Sequence, residues 1–412
     1  MGNLKFLREN RDFGLFWAGA LLVNLAVQIE AVTIGWQVYS IARQTMEMDR
    51  AAFQVGMVGL AQFLPMMALT LWAGSLVDRN SRRTIVLAAL MVEALSVLAL
   101  AVIALQPQPS LLWIFAVAAA FGASRAFLSP AVSAMTPMLV SVEDMPRAIS
   151  LKSLAWQAAV IIGPWIGGLL LVLSPAAAYG AAAVLFVTGI GLTLMVRTNT
   201  RPLPQPGRVW AQIKEGLAYT WTNKVVFGSI SLDLFAVLLG GATALLPAFA
   251  SDILGVGPSG FGFLRSGPAV GALLVALYLS RWPITRHAGA KMFWAVGLFG
   301  AATVVFGLST NIWLSVAALA ILGGADMISV FVRQTLVQVV TPDHMRGRVA
   351  SVSGLFISGS NELGEFQSGV AARLVGPVMA CVLGGIGAMG VTGLCAWAFP
   401  DLRRADRLDG KD

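Results

Sequence analysis

Twelve apolar stretches, most of them about 20 residues or longer, follow one another along the chain with short polar breaks between them. An α-helix needs about 20 residues to cross the roughly 30 Å of hydrocarbon in a bilayer. No water reaches that layer, so each stretch has to satisfy its own backbone N–H and C=O groups, and a helix does so. We read the spans as 13–41, 54–77, 84–105, 111–137, 149–173, 176–196, 225–250, 259–280, 290–309, 311–337, 350–373 and 376–399. The pattern predicts an all-α polytopic membrane protein with twelve transmembrane helices. Composition agrees: 57% of the 412 residues are hydrophobic and 12% are charged, where a soluble domain carries about a quarter charged.

The breaks alternate in charge. One set holds Lys5, Arg8 and Arg11, then Arg79, Arg82 and Arg83, Arg147 and Lys152, and the group from Arg197 to Lys224. It continues with Arg281 to Lys291, Arg333 to Arg348, and the tail from Arg403 to Lys411. The other set has only Arg43, Arg50, Arg265 and Arg373. The positive-inside rule then places both termini in the cytoplasm. The net charge of +8 follows from those loops, and with no basic domain outside the spans no nucleic-acid partner is expected. Cys381 and Cys395 fall in the last span and read as buried free thiols without metal-ligand spacing. The start, "MGNLKFLRENRDFG", leads into a span too long for the apolar part of a cleavable signal.

The longest internal connection, 197–224, comes after the sixth span. It starts Pro-rich, as a linker, and its second part reads as a short amphipathic helix on the membrane surface. The chain thus divides into a six-helix bundle over 1–196, the linker 197–224, and a second bundle with a short tail over 225–412. An internal repeat supports the division. "FGASRAFLSPAVSAMTPMLVSVEDMPRAIS" from Phe121 and "GGADMISVFVRQTLVQVVTPDHMRGRVAS" from Gly323 share a Gly-Ala pair, an apolar run and an acid-Met-Arg ending. Repeated halves are a mark of secondary transporters.

Between the second and third spans lies "AGSLVDRNSRRTIVL", with Gly74, Asp78, Arg79, Arg82 and Arg83. Topology alone accounts for a short basic loop. The spacing also resembles the Gly-x-x-x-Asp-Arg-x-x-Arg-Arg signature of the major facilitator superfamily at the same place in its fold. That resemblance implies a latch that holds the two halves together on the cytoplasmic side. Its chemistry would be a glycine that lets a helix come close, a carboxylate at a helix N-terminus and forked arginine donors. The second half has only "SRWPITRHAGAK" at the equivalent place, with no acid. In the fifth span, "AVIIGPWIGGLLL" carries Gly163, Pro164, Gly167 and Gly168. It resembles the Gly-Pro-x-x-Gly-Gly core found in exporters of the superfamily, with Ala159 where an earlier glycine is usual. Proline permits a bend and the glycines permit close packing, which a generic packing face would also need. Over most of the chain the motifs are similar to those of the enterobactin exporter-like branch of bacterial efflux proteins.

Several ionisable residues lie inside spans: Glu30, Glu93, Arg125, Asp233, Asp326, Glu362 and Glu365. Each costs roughly 2.5–3.5 kcal/mol at the middle of a helix, so each calls for a wet cavity or a partner. Glu30, Arg125, Asp233 and Asp326 fall on the first, fourth, seventh and tenth spans, which line the central cavity in the superfamily that the chain resembles. Gly122, Arg125, Ser129, Ser133 and Thr136 share one helix face, as do Ser358, Glu362 and Glu365. On the first span Glu30 and Gln37 align while Asn24 and Gln28 point the opposite way, and both pairs cannot face one cavity. Glu30 leads as proton carrier, with Arg125 as partner; Glu362, Glu365 and Asp326 are rivals, and a static ion pair is the alternative at each position. Asp233 is expected near a solvated end and Glu93, on a peripheral span, in a structural role.

No phosphate-binding Gly-x-x-x-x-Gly-Lys-Ser/Thr loop occurs. The expected function is therefore a gradient-driven secondary transporter, a proton-coupled exporter of an amphiphilic small molecule such as a siderophore or drug. A lysophospholipid flippase is the alternative; a passive channel and an intramembrane enzyme are remoter. His287 and His344 are the only histidines and both lie in loops, so no Ser/His or zinc site assembles at midplane. The expected partners are the small-molecule or lipid-like substrate, protons and membrane lipids, with no cofactor and a monomeric state.

Overall fold

The computed structural model describes residues 2–201, 209–342 and 345–404. His344, Arg208 and the tail with Arg407 and Lys411 lie outside the described residues. Every regular element among the described residues is helical. The order is α1 (Gly2–Glu9), α2 (Arg11–Arg43), α3 (Met48–Arg79), α4 (Arg82–Ala104), α5 (Leu111–Met135), α6 (Met145–Leu173) and α7 (Pro175–Leu194). Then come α8 (Val209–Thr222), α9 (Lys224–Gly240), the single turn α10 (Leu246–Ala248), α11 (Gly257–Arg281) and α12 (Ala288–Leu308). The chain ends with α13 (Ile312–Val340), α14 (Arg346–Val375), α15 (Pro377–Ala398) and α16 (Pro400–Arg404).

Eleven stretches are long and apolar enough to cross a membrane among the described residues. The eleventh expected span, 350–373, is not one of them. It forms within α14, which is 30 residues long but carries Glu362, Glu365 and Arg373 along its length. The expected seventh span is continuous only to Gly240; after it the backbone passes through a 3-10 turn at Thr243–Leu245 and a π-turn at Phe249–Ile253. Interrupted spans of this kind recur in transporters, where the interruption leaves backbone groups for other partners. Here Ser368 of α14 donates to the Gly241 carbonyl at the break.

Helix starts follow local chemistry. Asn311 Oδ1 accepts from the amides of Trp313 and Leu314 at 2.9 and 3.2 Å, Asn223 Oδ1 caps α9 at 3.1 Å, and Ser174 Oγ caps α7 at 3.0 Å, each satisfying amides that the first turn leaves open. Gly376 turns the chain between α14 and α15 with φ at +81°, a backbone that glycine adopts without strain.

The chain separates into two compact units. The first comprises Met1–Gln44, Leu60–Pro206 and Pro258–Ser266; the second comprises Thr45–Gly59, Gly207–Gly257 and Gly267–Asp412. Most of each expected six-helix half falls in one unit, and the starts of α3 and α11 fall in the other. In the first unit α2 packs on α6 and α7, and α4 on α5 and α7. Phe121 meets Phe186 edge to face at 6.4 Å between ring centres. In the second unit Leu232, Met292, Phe293, Val296 and Leu336 form a buried cluster. There Gly56 lies against Gly369, where a Cβ would sit 3.0 Å from the facing Cα. Only glycine allows backbones so close.

Candidate functional site: charged centres within the two units

In the first unit α2, α4, α5, α6 and the end of α7 enclose a cavity of about 330 Å³. Arg125 of α5 and Lys152 of α6 bring two cations to it, and Glu93 of α4 brings a carboxyl. Ser129 and Ser133 line it beside Arg125, as their spacing along one helix face requires. Lys152 Nζ donates to Thr136 Oγ1 at 2.7 Å, and Trp17 Nε1 donates to the Leu151 carbonyl at 2.8 Å. Those bonds hold the rim in place.

Glu93 is fully buried. Ser124 Oγ lies 3.1 Å from its Oε1 as a donor, while its Oε2 has no hydrogen-bond partner among the described residues. Glu93, expected in a structural role on a peripheral span, borders the cavity with Arg125. One signal is available: the internal repeat that starts at Phe121 and Gly323 sets Ser124 where the second copy has Asp326.

The structure also divides the polar residues of the first span. Asn24 lines the cavity and Glu30 does not. Glu30 is buried on the face of Gln37, whose Oε1 accepts a hydrogen bond from Tyr179 OH of α7 at 2.7 Å. Gln28 packs where a Cβ on Gly163 would lie 2.5 Å from its own Cβ.

In the second unit Asp233 of α9 is not solvated, as its position suggested. It is buried, and its Oδ2 lies 2.9 Å from an Arg333 guanidinium nitrogen; the two side chains are 7% and 3% exposed. Arg333, counted with the loops in the sequence, sits inside α13. It lies two turns beyond Asp326 on the same helix, a spacing that shares a face. Asp233, Asp326 and Ser329 border a void of about 10 Å³. Glu362 and Glu365 of α14 flank Gly59, where a Cβ would lie 3.1 Å from the Glu362 carbonyl and 3.1 Å from Glu365 Cβ.

Of the hinge residues, Arg82 and Arg83 are tied within their own unit. Arg83 donates from Nε to the Thr193 carbonyl at 3.1 Å and from a terminal nitrogen to the Leu194 carbonyl. It thus covers carbonyls at the end of α7, where a cation is favoured. Ser81 and the Arg83 amide both reach Thr200 Oγ1, at 3.0 and 3.1 Å, and the Arg82 amide donates to the Thr200 carbonyl at 3.2 Å. Asp12 Oδ2 accepts from the amides of Arg197 and Thr198 and from Thr198 Oγ1 at 2.9, 2.7 and 2.6 Å. Asp78 and Arg79 are exposed, and a Cβ on Gly74 would meet nothing within 4 Å. The fifth-span glycines are packed: Gly167 against Ile29, and Gly168 where a Cβ would lie 2.8 Å from Gly262 Cα. Gly262 in turn faces the Pro164 carbonyl. No cluster of side chains able to hold a metal ion occurs among the described residues.

Long apolar helices in two compact units, with charged side chains around an internal cavity, define a class of secondary transporter. The chain belongs to the transmembrane secretion effector family of the major facilitator superfamily, whose model matches residues 4–410. It is 28% identical over 399 residues to the enterobactin exporter EntS of Shigella boydii serotype 18, covering 93% of this chain and 92% of that protein. The EntS of Escherichia coli O139:H28 matches to the same extent. The crystal structure of the nucleoside transporter NupG superposes with a TM-score of 0.69 at 15% identity, over 95% of this chain and 98% of that one. The last likeness is one of fold. The protein is thus a multi-pass membrane transporter of the major facilitator fold, related to an enterobactin exporter, and not an enzyme.

Proposed function

We propose that the protein exports an amphiphilic small molecule, siderophore- or drug-like, against its gradient in exchange for protons. The supporting observation is the cavity of about 330 Å³ in the first unit, where Arg125 and Lys152 face a buried carboxyl among aromatic walls. The lining carries two cations and one carboxyl, a balance that suits an anionic or electron-rich guest. The kinship with enterobactin exporters supports a siderophore-like cargo.

In this reading the six-helix halves, joined by 197–224, expose the cavity alternately to either side of a bacterial inner membrane. Both termini are cytoplasmic and the working unit is a monomer. Glu30, Asp326, Glu362 and Glu365 are candidate proton carriers, Asp233 holds Arg333, and Arg125 contacts cargo. Gly74, Asp78, Arg79, Arg82 and Arg83, with Gly163, Pro164, Gly167 and Gly168, govern the closing of the halves.

The test is uptake of purified enterobactin and of a panel of amphiphilic drugs into inverted membrane vesicles with an imposed pH gradient. Accumulation that a protonophore abolishes is expected. Arg125→Ala should lower it about tenfold or more, the worth of a hydrogen bond to a charged group. Uptake that ignores the pH gradient would remove the proton coupling.

A flippase for lysophospholipids is the second reading. The observation in its favour is a cleft of about 1100 Å³ in the second unit, lined by Tyr278, Trp282, Trp294 and Leu298 with Lys291 among them. Such a cleft fits an acyl chain below a phosphate. Translocation of labelled lysolipid in proteoliposomes, without drug or siderophore uptake, would select it.

A further inference from the structure

Three features set Glu93 apart. It is fully buried within the bundle, it borders the cavity, and one of its oxygens has no partner among the described residues. Its environment is simple. Of the helices packed against α4, α5 carries one charged residue, Arg125, and α7 carries none. Across the cavity α6 contributes Lys152, while α2 presents only neutral groups, Asn24 and Trp17 among them. No like charge faces Glu93, and its two counter-charges stand around the same cavity.

Ser124 adds the decisive geometry. Its hydroxyl has one proton and two acceptors in reach, Glu93 Oε1 at 3.1 Å and the Phe121 carbonyl at 2.9 Å. When Glu93 is ionised, Ser124 donates to it. When Glu93 carries a proton on Oε1, that proton is donated to Ser124 Oγ, and the serine proton turns to the Phe121 carbonyl. Rotating one hydroxyl keeps Oε1 hydrogen-bonded in both protonation states, with no heavy atom displaced, and leaves Oε2 to a guest. A carboxyl in a merely structural role needs only one of those states.

We propose that Glu93, on the third span, is the site at which the coupled proton and the cargo exclude one another. Its second oxygen accepts an O–H or N–H from cargo, while Arg125 and Lys152 hold an anionic group on the same molecule and Trp17 and Trp156 cover its flat face. The cargo class is thus an aromatic amphiphile with a hydrogen-bond donor beside an acidic oxygen. A proton arriving from the far side binds the carboxylate, the carboxylate–cargo hydrogen bond breaks, and cargo leaves. Loss of that proton on the near side restores the acceptor. The exclusion that antiport requires is located in one side chain. The inference rests on the proton-coupled reading above and shifts the proton from Glu30 to Glu93.

Two measurements on purified full-length protein test it. The first is infrared difference spectroscopy without cargo, over roughly pH 5 to 9. Wild type should show a carboxylic-acid C=O band that disappears as pH rises, and Glu93→Gln should lack it. Ser124→Ala, which keeps the acid, should move the band and its midpoint, so that the test survives if Glu93→Gln does not fold. A titrating band unchanged in both variants overturns the proposal. The second is binding of enterobactin and of salicylate, a small aromatic with a hydroxyl beside an acidic oxygen, followed by quenching of tryptophan fluorescence. On the acid side of the midpoint, wild-type affinity should fall about tenfold per pH unit, as competition with one proton requires, and Glu93→Gln should bind independently of pH. The same slope in Glu93→Gln overturns the shared site, as does failure of wild type to bind either probe. Intact competition with no gradient-driven uptake would instead sink the exporter reading and leave Glu93 in place.

Discussion

The two units carry charge at related places but treat it differently. In the second, Asp233 and Arg333 meet at 2.9 Å with almost no exposure, and the void they share with Asp326 and Ser329 is about 10 Å³, space for one water molecule at most. In the first, Glu93, Arg125 and Lys152 stand around about 330 Å³. Charges that touch neutralise each other and become architecture. Charges that border a cavity stay within reach of a guest. The distinction sets an open charged cavity in the first unit against a clamp between α9 and α13 in the second.

That contrast can be broken. Arg333→Ala should be the most damaging change, because it strands Asp233 inside the bundle; about 3–5 kcal/mol is the usual loss when one partner of a buried pair is removed. Thermal unfolding in detergent reads it, and the Asp233→Ala, Arg333→Ala double variant should lose less than either single one. A harmless Arg333→Ala would erase the clamp. The first unit should be sensitive to volume instead. Gly262→Leu drives a side chain into the Pro164 carbonyl and Gly168 and should cost about 1–3 kcal/mol, as overpacking does. Thr200→Val removes the hydroxyl shared by Ser81 and the Arg83 amide and should cost about 0.5–1.5 kcal/mol. Arg125→Ala should cost less stability than Arg333→Ala does, while uptake falls. If it unfolds the protein as Arg333→Ala does, the two centres are alike and the comparison fails.

The helices are legible in the sequence because span length and apolar content are set by the bilayer, and their ends lie within a few residues of the expected ones. The break after Gly240 is not, since an apolar run looks the same whether or not its backbone unwinds. The faces of α5 are readable because Arg125, Ser129 and Ser133 repeat at helical spacing. The faces of α2 are ambiguous, and only packing against α7 decides that Glu30 and Gln37 turn away while Asn24 borders the cavity. Asp233 and Arg333 lie a hundred residues apart in the chain, and no local pattern pairs them. Glu93 escapes a sequence reading for the same reason: its partner Ser124 is on another helix.

The bonds of Arg83 also set an order of events. Its two carbonyl acceptors, at Thr193 and Leu194, are 110 and 111 positions further along the chain. A growing polypeptide therefore presents the arginine long before the atoms it will cover exist. Until α7 has been synthesised, that side chain has no helix end to cover; afterwards it becomes a stopper on another helix. Lysine in its place would keep the charge while losing the fork that reaches both carbonyls.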